Sequence, residues 1–556
     1  MAVEPGMESQ PRPAWTPLAF AAVLVLGIWL GMGMEGGDAR SALLGGKTER
    51  GRLVHILDRI EDTYVDPVMR EELEAVALEA ILEELDPHSY YFSEEELAAM
   101  AEPMEGNFEG VGIEFMIQRD TLMVVDAIAG GPSEEAGIAA GDRIVAVDSM
   151  PISGPDLTNA QVVKLLKGPR GTEVRLGLMR RNVPFEVTIA RDRIPIHSVV
   201  SAFRVTGQTG YIKVIRFASN TYEEFAAAMQ DLTNAGCTQV VVDLRGNGGG
   251  YLNAVIPMVE GFLERGTPIV YTEGTHSARR DYKAARTGPW AAWDVAVLID
   301  ESSASASEIF AGAIQDNDRG IVVGRRSFGK GLVQEEFGIP EAGALRLTVA
   351  RFHTPTGRAI QKPYGTYEDD FTERYDRGEL FHEDSIPTVD SLRFETPAGR
   401  VVYGGGGITP DFFVAYDTLA NSAWLGELNW WGVLRDVAFE YVDAHREDLG
   451  AAEDARSLHA SPAMELLMER AAEWSVHGAP TSEEELAVVE QRLWAQITRN
   501  LTGDQGFYQE LLKGDATYHR AVELLQQSAA WTVEGGKVVL AQQALQDQLI
   551  QNNLNL

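Results

Sequence analysis

Leu298 to Gln334, LIDESSASASEIFAGAIQDNDRGIVVGRRSFGKGLVQ, decides how this chain reads. Val295 to Ile299 is a short apolar run, suited to a strand covered on both faces. A serine-rich turn then sets Ser305 ahead of an apolar helix carrying Ile309, Phe310, Ala313 and Ile314. A hydroxyl there faces helix N-terminal N–H groups, which favour negative charge as it develops. After a second strand, Ile321 to Gly324, Gly329 and Gly331 bracket Lys330 and let the backbone approach closely. A lysine is a useful base only where desolvation lowers its pKa from about 10.4. Such a lysine takes the proton from Ser305 without a histidine. The same residues have a plainer reading. Ser305 and Glu308 are spaced as a helix capping box, and Gly-Lys-Gly is a common exposed turn.

SASASEI, then a strand ending in glycine, then SFGKGLVQ closely resemble the carboxy-terminal processing proteases, also called tail-specific proteases. The resemblance implies that Ser305 is the nucleophile, Lys330 the general base and Gln334 the residue that orients the lysine. Ser327 stands where that family usually has Thr, outside the dyad. Val240 to Leu244 followed by RGNGGGYLNAV resembles the family's DLRxNGGG segment, a buried strand running into a glycine loop and a helix. Bare N–H groups in such a loop can point at an oxyanion. The N–H of Ala306 and one from Gly248 or Gly249 are the candidates. A tight turn without a ligand is the bland alternative, and a phosphate loop would need GK[ST] after the glycines. LRLTVARFHTPTGRAIQ (Leu345 to Gln361), YGGGGITPD (Tyr403 to Asp411) and LDPHSYYF (Leu85 to Phe92) extend the likeness over Leu53 to Asp411.

Between the helical start and the protease core, a glycine turn enters a strand at Glu109 to Phe115. Leu122 to Ile128, Glu173 to Leu178 and Phe185 to Ile189 read as further strands, and Asn159 to Lys167 as an amphipathic helix. This resembles a PDZ domain, with Gly110, Val111, Gly112 and Ile113 at its carboxylate-binding loop. Such domains add a peptide as a strand to an exposed edge and capture its terminal carboxylate on successive N–H groups. A purely structural β domain is the alternative.

A chain of 556 residues accommodates three or four domains. Cys237 is the only cysteine, which excludes an internal disulfide and reads as a small buried side chain. The histidines lack ligand spacing, so no metal and no cofactor is expected. The net charge of −36 disfavours nucleic acid as a partner. Nine of the 47 basic residues are lysine, and a saline habitat or a GC-rich genome would each account for the balance. Trp15 to Met34 is uncharged and about long enough to cross a bilayer, with no basic start and no clear cleavage site. An uncleaved anchor is expected, and the resemblance puts the rest of the chain outside the cytoplasm.

The fold class that follows is multidomain α/β. Residues 1–14 are a cytoplasmic N-terminus, 15–34 a transmembrane anchor, and 35–104 a linker and N-terminal helical region. Residues 105–195 are an inserted PDZ-like β domain, 196–411 a β/α protease core with an insertion or extended hairpin at 363–400, and 412–556 an all-helical domain. Helices are expected at Trp424–His445, Ala463–Glu473, Glu483–Leu501, Gln505–Leu512, Tyr518–Ser528 and Val538–Asn552. They serve core packing, or dock an adaptor or a second copy. The reading is a membrane-anchored serine endopeptidase whose partners are polypeptides recognised by their C-terminal ends. A non-catalytic PDZ scaffold and a thioester hydrolase of the same core fold are the alternatives.

Overall fold

The computed structural model describes residues 51–540, apart from 155, 340–342, 368, 452–454 and 528–530. The anchor expected at 15–34 lies outside the described residues; among those, no helix is long and apolar enough to cross a membrane. The chain divides into two compact units, one ending at Glu84 and one beginning at Leu85. In the first, helices Arg52–Thr63 and Arg70–Glu83 are tied by Arg70, which donates to Asp58, Glu61 and Glu74.

The second unit contains an antiparallel sheet of β1 (Ile113–Gln118), β2 (Thr121–Ala127), β3 (Arg143–Val147), β4 (Glu173–Arg180) and β5 (Val183–Ala190), with helix α1 (Asn159–Leu166). Alternation along the strands sends Leu122, Val124, Ile144, Leu176 and Leu178 into one core. Strand β1 lies at the sheet edge. Its Phe115 and Ile117 pack toward that core, while Met116 on the opposite face packs with Met123 against Phe439.

The core is a six-stranded sheet of β6 (Val199–Thr206), β7 (Thr209–Val214), β8 (Gln239–Asp243), β9 (Asp294–Ile299), β10 (Ile321–Gly324) and a last short strand, Phe412–Phe413. All pairings after β6–β7 are parallel. Parallel neighbours need crossovers, here made by helices that include α2 (Thr221–Asn234), α3 (Leu252–Glu260) and α4 (Ala306–Asp316). Phe225, Met229, Val255, Phe262, Phe310 and Ile314 bury one face of the sheet. A second sheet is built on β11 (Leu332–Ile339) and β12 (Gly343–His353), and β12 also pairs with Tyr90–Phe92 and Pro268–Glu273.

The C-terminal region holds α5 (Ala423–Trp430), α6 (Val433–Ala451), α7 (Ala455–Glu473), α8 (Glu483–Leu511) and α9 (Ala516–Gln526). Helices α5 to α8 share a core around Leu428, Val437, Val442, Leu467, Val489 and Trp494. Helix α9 behaves differently. Its Tyr518, Ala521, Leu524 and Leu525 cover Tyr211, Val241, Ala296, Leu298, Ile321 and Val323 on the other face of the core sheet. Both faces are therefore dry, which accounts for the unbroken apolar run at Val295–Ile299 and for the three consecutive valines at Val240–Val242.

Two expectations change. The helix expected from Val538 is not formed over its described part: Trp531–Glu534 and Lys537–Leu540 make a hairpin. Gly535 and Gly536 both take positive φ, the backbone of a two-residue hairpin turn. Of the 363–400 insertion, only Arg393–Glu395 pairs as a short hairpin with Val401–Tyr403. Before it come a helix, Asp370–Asp376, and 3-10 turns. Buried Arg374 donates to the carbonyls of Arg326, Ser327 and Phe328, so the insertion grips the backbone leading to Lys330.

Candidate active site

Strands β8 and β9 are parallel neighbours, so the glycine loop and the serine turn that follow them leave the same end of the sheet. Hydrogen bonds then lock the two together. Ala304 N donates to the Asn247 carbonyl (3.0 Å), as does Ser307 Oγ (2.8 Å). Ser303 Oγ donates to the Leu244 carbonyl at 2.9 Å. Ser303 and Ser307 are fully buried and structural. Ser305 between them stays half-exposed, and its φ is +55°. A non-glycine residue in that region costs of the order of 1–3 kcal/mol and persists only when its surroundings hold it.

Glu308 is what holds it. The carboxylate is fully buried, and its Oε2 accepts Ser305 N–H (2.8 Å) and Lys330 N–H (2.9 Å). Its Oε1 accepts Ser327 Oγ (2.5 Å) and Gly329 N–H (2.7 Å). Burial raises the Glu308 pKa, and these four donors work against that rise. Ser327 keeps the hydroxyl that a threonine would supply, and its Oγ also accepts Ile408 N–H at 2.6 Å. The spacing of Ser305 and Glu308 suggests only a helix cap; Glu308 does cap the Ser305 N–H, and it also joins two distant segments. Its signal in the sequence is a charge in the first turn of an otherwise apolar helix.

Lys330 Nζ donates to Gln334 Oε1 at 2.9 Å, and Gln334 Nε2 donates to the His88 carbonyl at 2.5 Å. The structure thus brings Lys330 and Gln334 together as the sequence suggests and adds His88, whose part the sequence did not signal. No hydrogen bond joins Ser305 Oγ to Lys330 Nζ in this structure. Burial lowers the Lys330 pKa, and the nearby Arg346 lowers it further. Lys330 makes no ion pair among the described residues. Burial, with Lys330 next in weight, pushes His88 down to about 4, so the imidazole is neutral at neutral pH. If neutral Lys330 is the base, the rate rises with pH through the lysine's lowered pKa. Arg346→Gln removes a charge that opposes protonation, so the limb of the pH–rate profile moves to higher pH. An unmoved limb in kcat/KM would count against Lys330 as the titrating group.

In the glycine loop, Asn247 Nδ2 donates to the Val214 carbonyl (3.0 Å) and its Oδ1 accepts Gly249 N–H (2.9 Å). Gly249 is buried, and a Cβ there would lie 2.8 Å from Ser305 Cβ and 3.0 Å from Ala306 N. Its N–H is therefore occupied, and the residue serves close packing. Gly248 is exposed with open space where its Cβ would be, and neither its N–H nor that of Ala306 has an acceptor among the described residues. Of the three candidates, Ala306, next to Ser305, and Gly248, next to the close-packed Gly249, present free donors.

In the β domain, the Val111 carbonyl accepts Ser133 Oγ (2.6 Å) and the Gly112 carbonyl accepts Ile128 N–H (3.0 Å). The N–H groups of Val111 and Gly112 have no acceptor among the described residues. Gly110 ends a short strand paired with Asp192–Pro195, and Ile113 begins the edge strand β1. Gly112 has φ +77°, and a Cβ would come within 2.9 Å of Ile194 Cδ1, so glycine is required there.

The family model of Peptidase family S41 matches residues 208–370, which hold Ser305, Lys330 and Gln334. A PDZ domain model matches residues 123–180, beginning after the Gly110–Ile113 loop. The chain is 38% identical over 317 residues to a carboxy-terminal-processing protease of Bartonella bacilliformis, covering 56% of this chain and 72% of that protein. To the carboxy-terminal processing protease CtpB of Bacillus subtilis it is 32% identical over 308 residues, 54% of this chain and 64% of that one. A solved photosystem II D1 C-terminal processing protease is similar at 30% identity, over 55% of this chain and 83% of that chain, with a TM-score of 0.32.

Proposed function

The chain belongs to the carboxy-terminal processing proteases of peptidase family S41 and is a serine peptidase, and we propose that Ser305 and Lys330 are its nucleophile and general base. The observation that carries this reading is the shared Glu308 oxygen. One carboxylate holds the backbone N–H groups of both residues and leaves the Ser305 hydroxyl and the Lys330 amine free of carboxylate partners. Neutral Lys330 takes the Ser305 proton as Oγ attacks the scissile carbonyl, and the ammonium returns it to the leaving amine. Water then attacks the acyl-enzyme, giving its proton to Lys330, and as the ester bond breaks the ammonium passes that proton to the departing Ser305 Oγ. The N–H groups of Ala306 and Gly248 stabilise the oxyanion in both steps. The Ser305–Lys330 hydrogen bond forms when substrate excludes water, and Gln334 holds the amine within reach meanwhile.

Substrates on this reading are polypeptides taken by their C-terminal ends. Free N–H groups at Val111 and Gly112 donate to the carboxylate, and the edge of β1 takes the peptide as a strand. Amidating the C-terminus of an apolar-ended peptide weakens its binding to full-length Ser305→Ala protein by roughly tenfold or more, the loss of a charge-assisted contact. Equal affinity for acid and amide, measured by calorimetry, would mean that the domain is structural.

We also propose that residues 15–34 anchor the chain with its catalytic part outside the cytoplasm, on the strength of their length and lack of charge. N-terminal sequencing of membrane-extracted protein tests this, since a start near Ser41 would identify a cleaved signal. Comparing envelope proteomes with the wild type or Ser305→Ala identifies the substrates by the C-terminal ends that persist in the variant.

A further inference from the structure

The loop that carries Gly248 is tied down at each residue before it. The Arg245 carbonyl accepts Lys213 Nζ, Gly246 N–H donates to Asp300 Oδ1 at 3.0 Å, and Asn247 is held through its side chain and its main chain. Arg245 is the second residue past β8, and its guanidinium is fixed by two carboxylates. Nε and Nη2 grip Asp243 at 3.0 and 2.7 Å, while Nη1 meets Asp515 Oδ2 at 2.7 Å. Asp243 is buried and also accepts Tyr211 OH (2.8 Å) and Lys213 Nζ (3.2 Å). Asp515 comes from the opposite end of the sequence. It is the N-cap of α9, with Oδ1 accepting Tyr518 N–H at 2.9 Å, so its two oxygens serve two different partners. Packing of α9 on the core sheet gives that carboxylate a fixed position. Its other charged neighbours are Arg492, which makes no ion pair among the described residues, Asp417, and Arg325, itself paired with Glu301.

We infer that Asp515 is a positioning residue for the oxyanion loop: through Arg245 it fixes the segment that presents the Gly248 N–H. A fork held on one side only can pivot about Asp243, and a pivot of Arg245 is transmitted over the two intervening residues to Gly248. Oxyanion donors act only on the charge that develops in the transition state, so a displaced Gly248 costs kcat and leaves ground-state binding alone. The inference rests on the assignment of Ser305 and Gly248 above.

The test uses Asp515→Asn and Asp515→Ser in the full chain. Both side chains are good N-caps, so α9 keeps its start while Arg245 loses its second charge. Rates are taken per molecule able to bind a peptide boronic acid, which forms a tetrahedral adduct on Ser305. The expected result is a fall of roughly tenfold in kcat with KM within about twofold, less than the 10²–10³ for loss of an oxyanion donor. The boronate should bind roughly tenfold more weakly, while an uncleaved substrate binds Asp515→Asn/Ser305→Ala as tightly as Ser305→Ala alone. A kcat within twofold of wild type, or a loss confined to KM, overturns the inference. So does a loss that disappears when rates are expressed per boronate-binding molecule. Ser305→Ala is run in parallel. Wild-type cleavage by Ser305→Ala would remove the dyad assignment and this inference together, whereas a dead Ser305→Ala beside an unimpaired Asp515→Asn removes the inference alone.

Discussion

Ser305→Ala and Lys330→Ala should each lower turnover of an unfolded protein substrate by roughly 10⁴-fold or more, and the double variant should be no worse than either single one. The reason is that the two groups act in one event. Without the base the hydroxyl stays protonated at neutral pH, and without the hydroxyl the amine has nothing to deprotonate but water. Both side chains can be shortened without exposing a buried partner. Ser305 is half-exposed, and among the described residues Lys330 Nζ is hydrogen-bonded only to Gln334. Melting temperatures should therefore stay close to wild type, which separates loss of chemistry from loss of fold. Additive losses in the double variant would show two independent contributions and argue against a dyad. Gln334→Ala removes one restraint on the amine and should be milder.

Glu308→Gln should come next in effect, with kcat down by roughly 10²-fold and a lowered melting temperature. The amide keeps the shape of the carboxylate but places an NH₂ group against two of the four donors now satisfied. Each buried donor left without an acceptor costs about 1–3 kcal/mol. Ser305, held at φ +55° in part by this carboxylate, is then free to relax toward ordinary backbone angles. A second signature follows from charge. Glu308 favours protonation of Lys330, so its neutralisation moves the limb of the pH–rate profile to lower pH, opposite to Arg346→Gln. Wild-type kcat with an unmoved limb would mean that the backbone keeps its shape without the clamp.

The sequence shows the parts of the site whose meaning is local. Val295–Ile299, the turn at Ser305 and the helix that follows are neighbours in the chain, and their periodicity states what they are. Ser305, Lys330 and Gln334 are each recognisable inside a few residues of motif. What escapes is whatever depends on a partner far along the chain. Glu308 looks like a cap for Ser305 because its other donors, at Ser327, Gly329 and Lys330, are separated from it by a helix and a strand. The choice between Gly248 and Gly249 turns on where the Asn247 amide points, and spacing does not carry that. The hairpin at Trp531–Leu540 hid in the same way. Val538, Val539 and Leu540 suit a helix start as well as a strand, and only the pairing with Trp531 to Val533 decides between them. Helix α9 was legible as a helix, but its place on the core sheet was not.

That place bears on when the molecule can work. Strands β7 to β10 leave the ribosome long before residues 516–526, and until α9 arrives one face of the sheet has nothing to cover it. Contacts between segments so far apart in sequence form late in folding, because chain closure must precede the packing that rewards it. A chain still being translated has its Ser305 turn and its glycine loop, yet Arg245 is still waiting for Asp515. Competence to cleave should therefore appear only after the far end of the polypeptide has folded back.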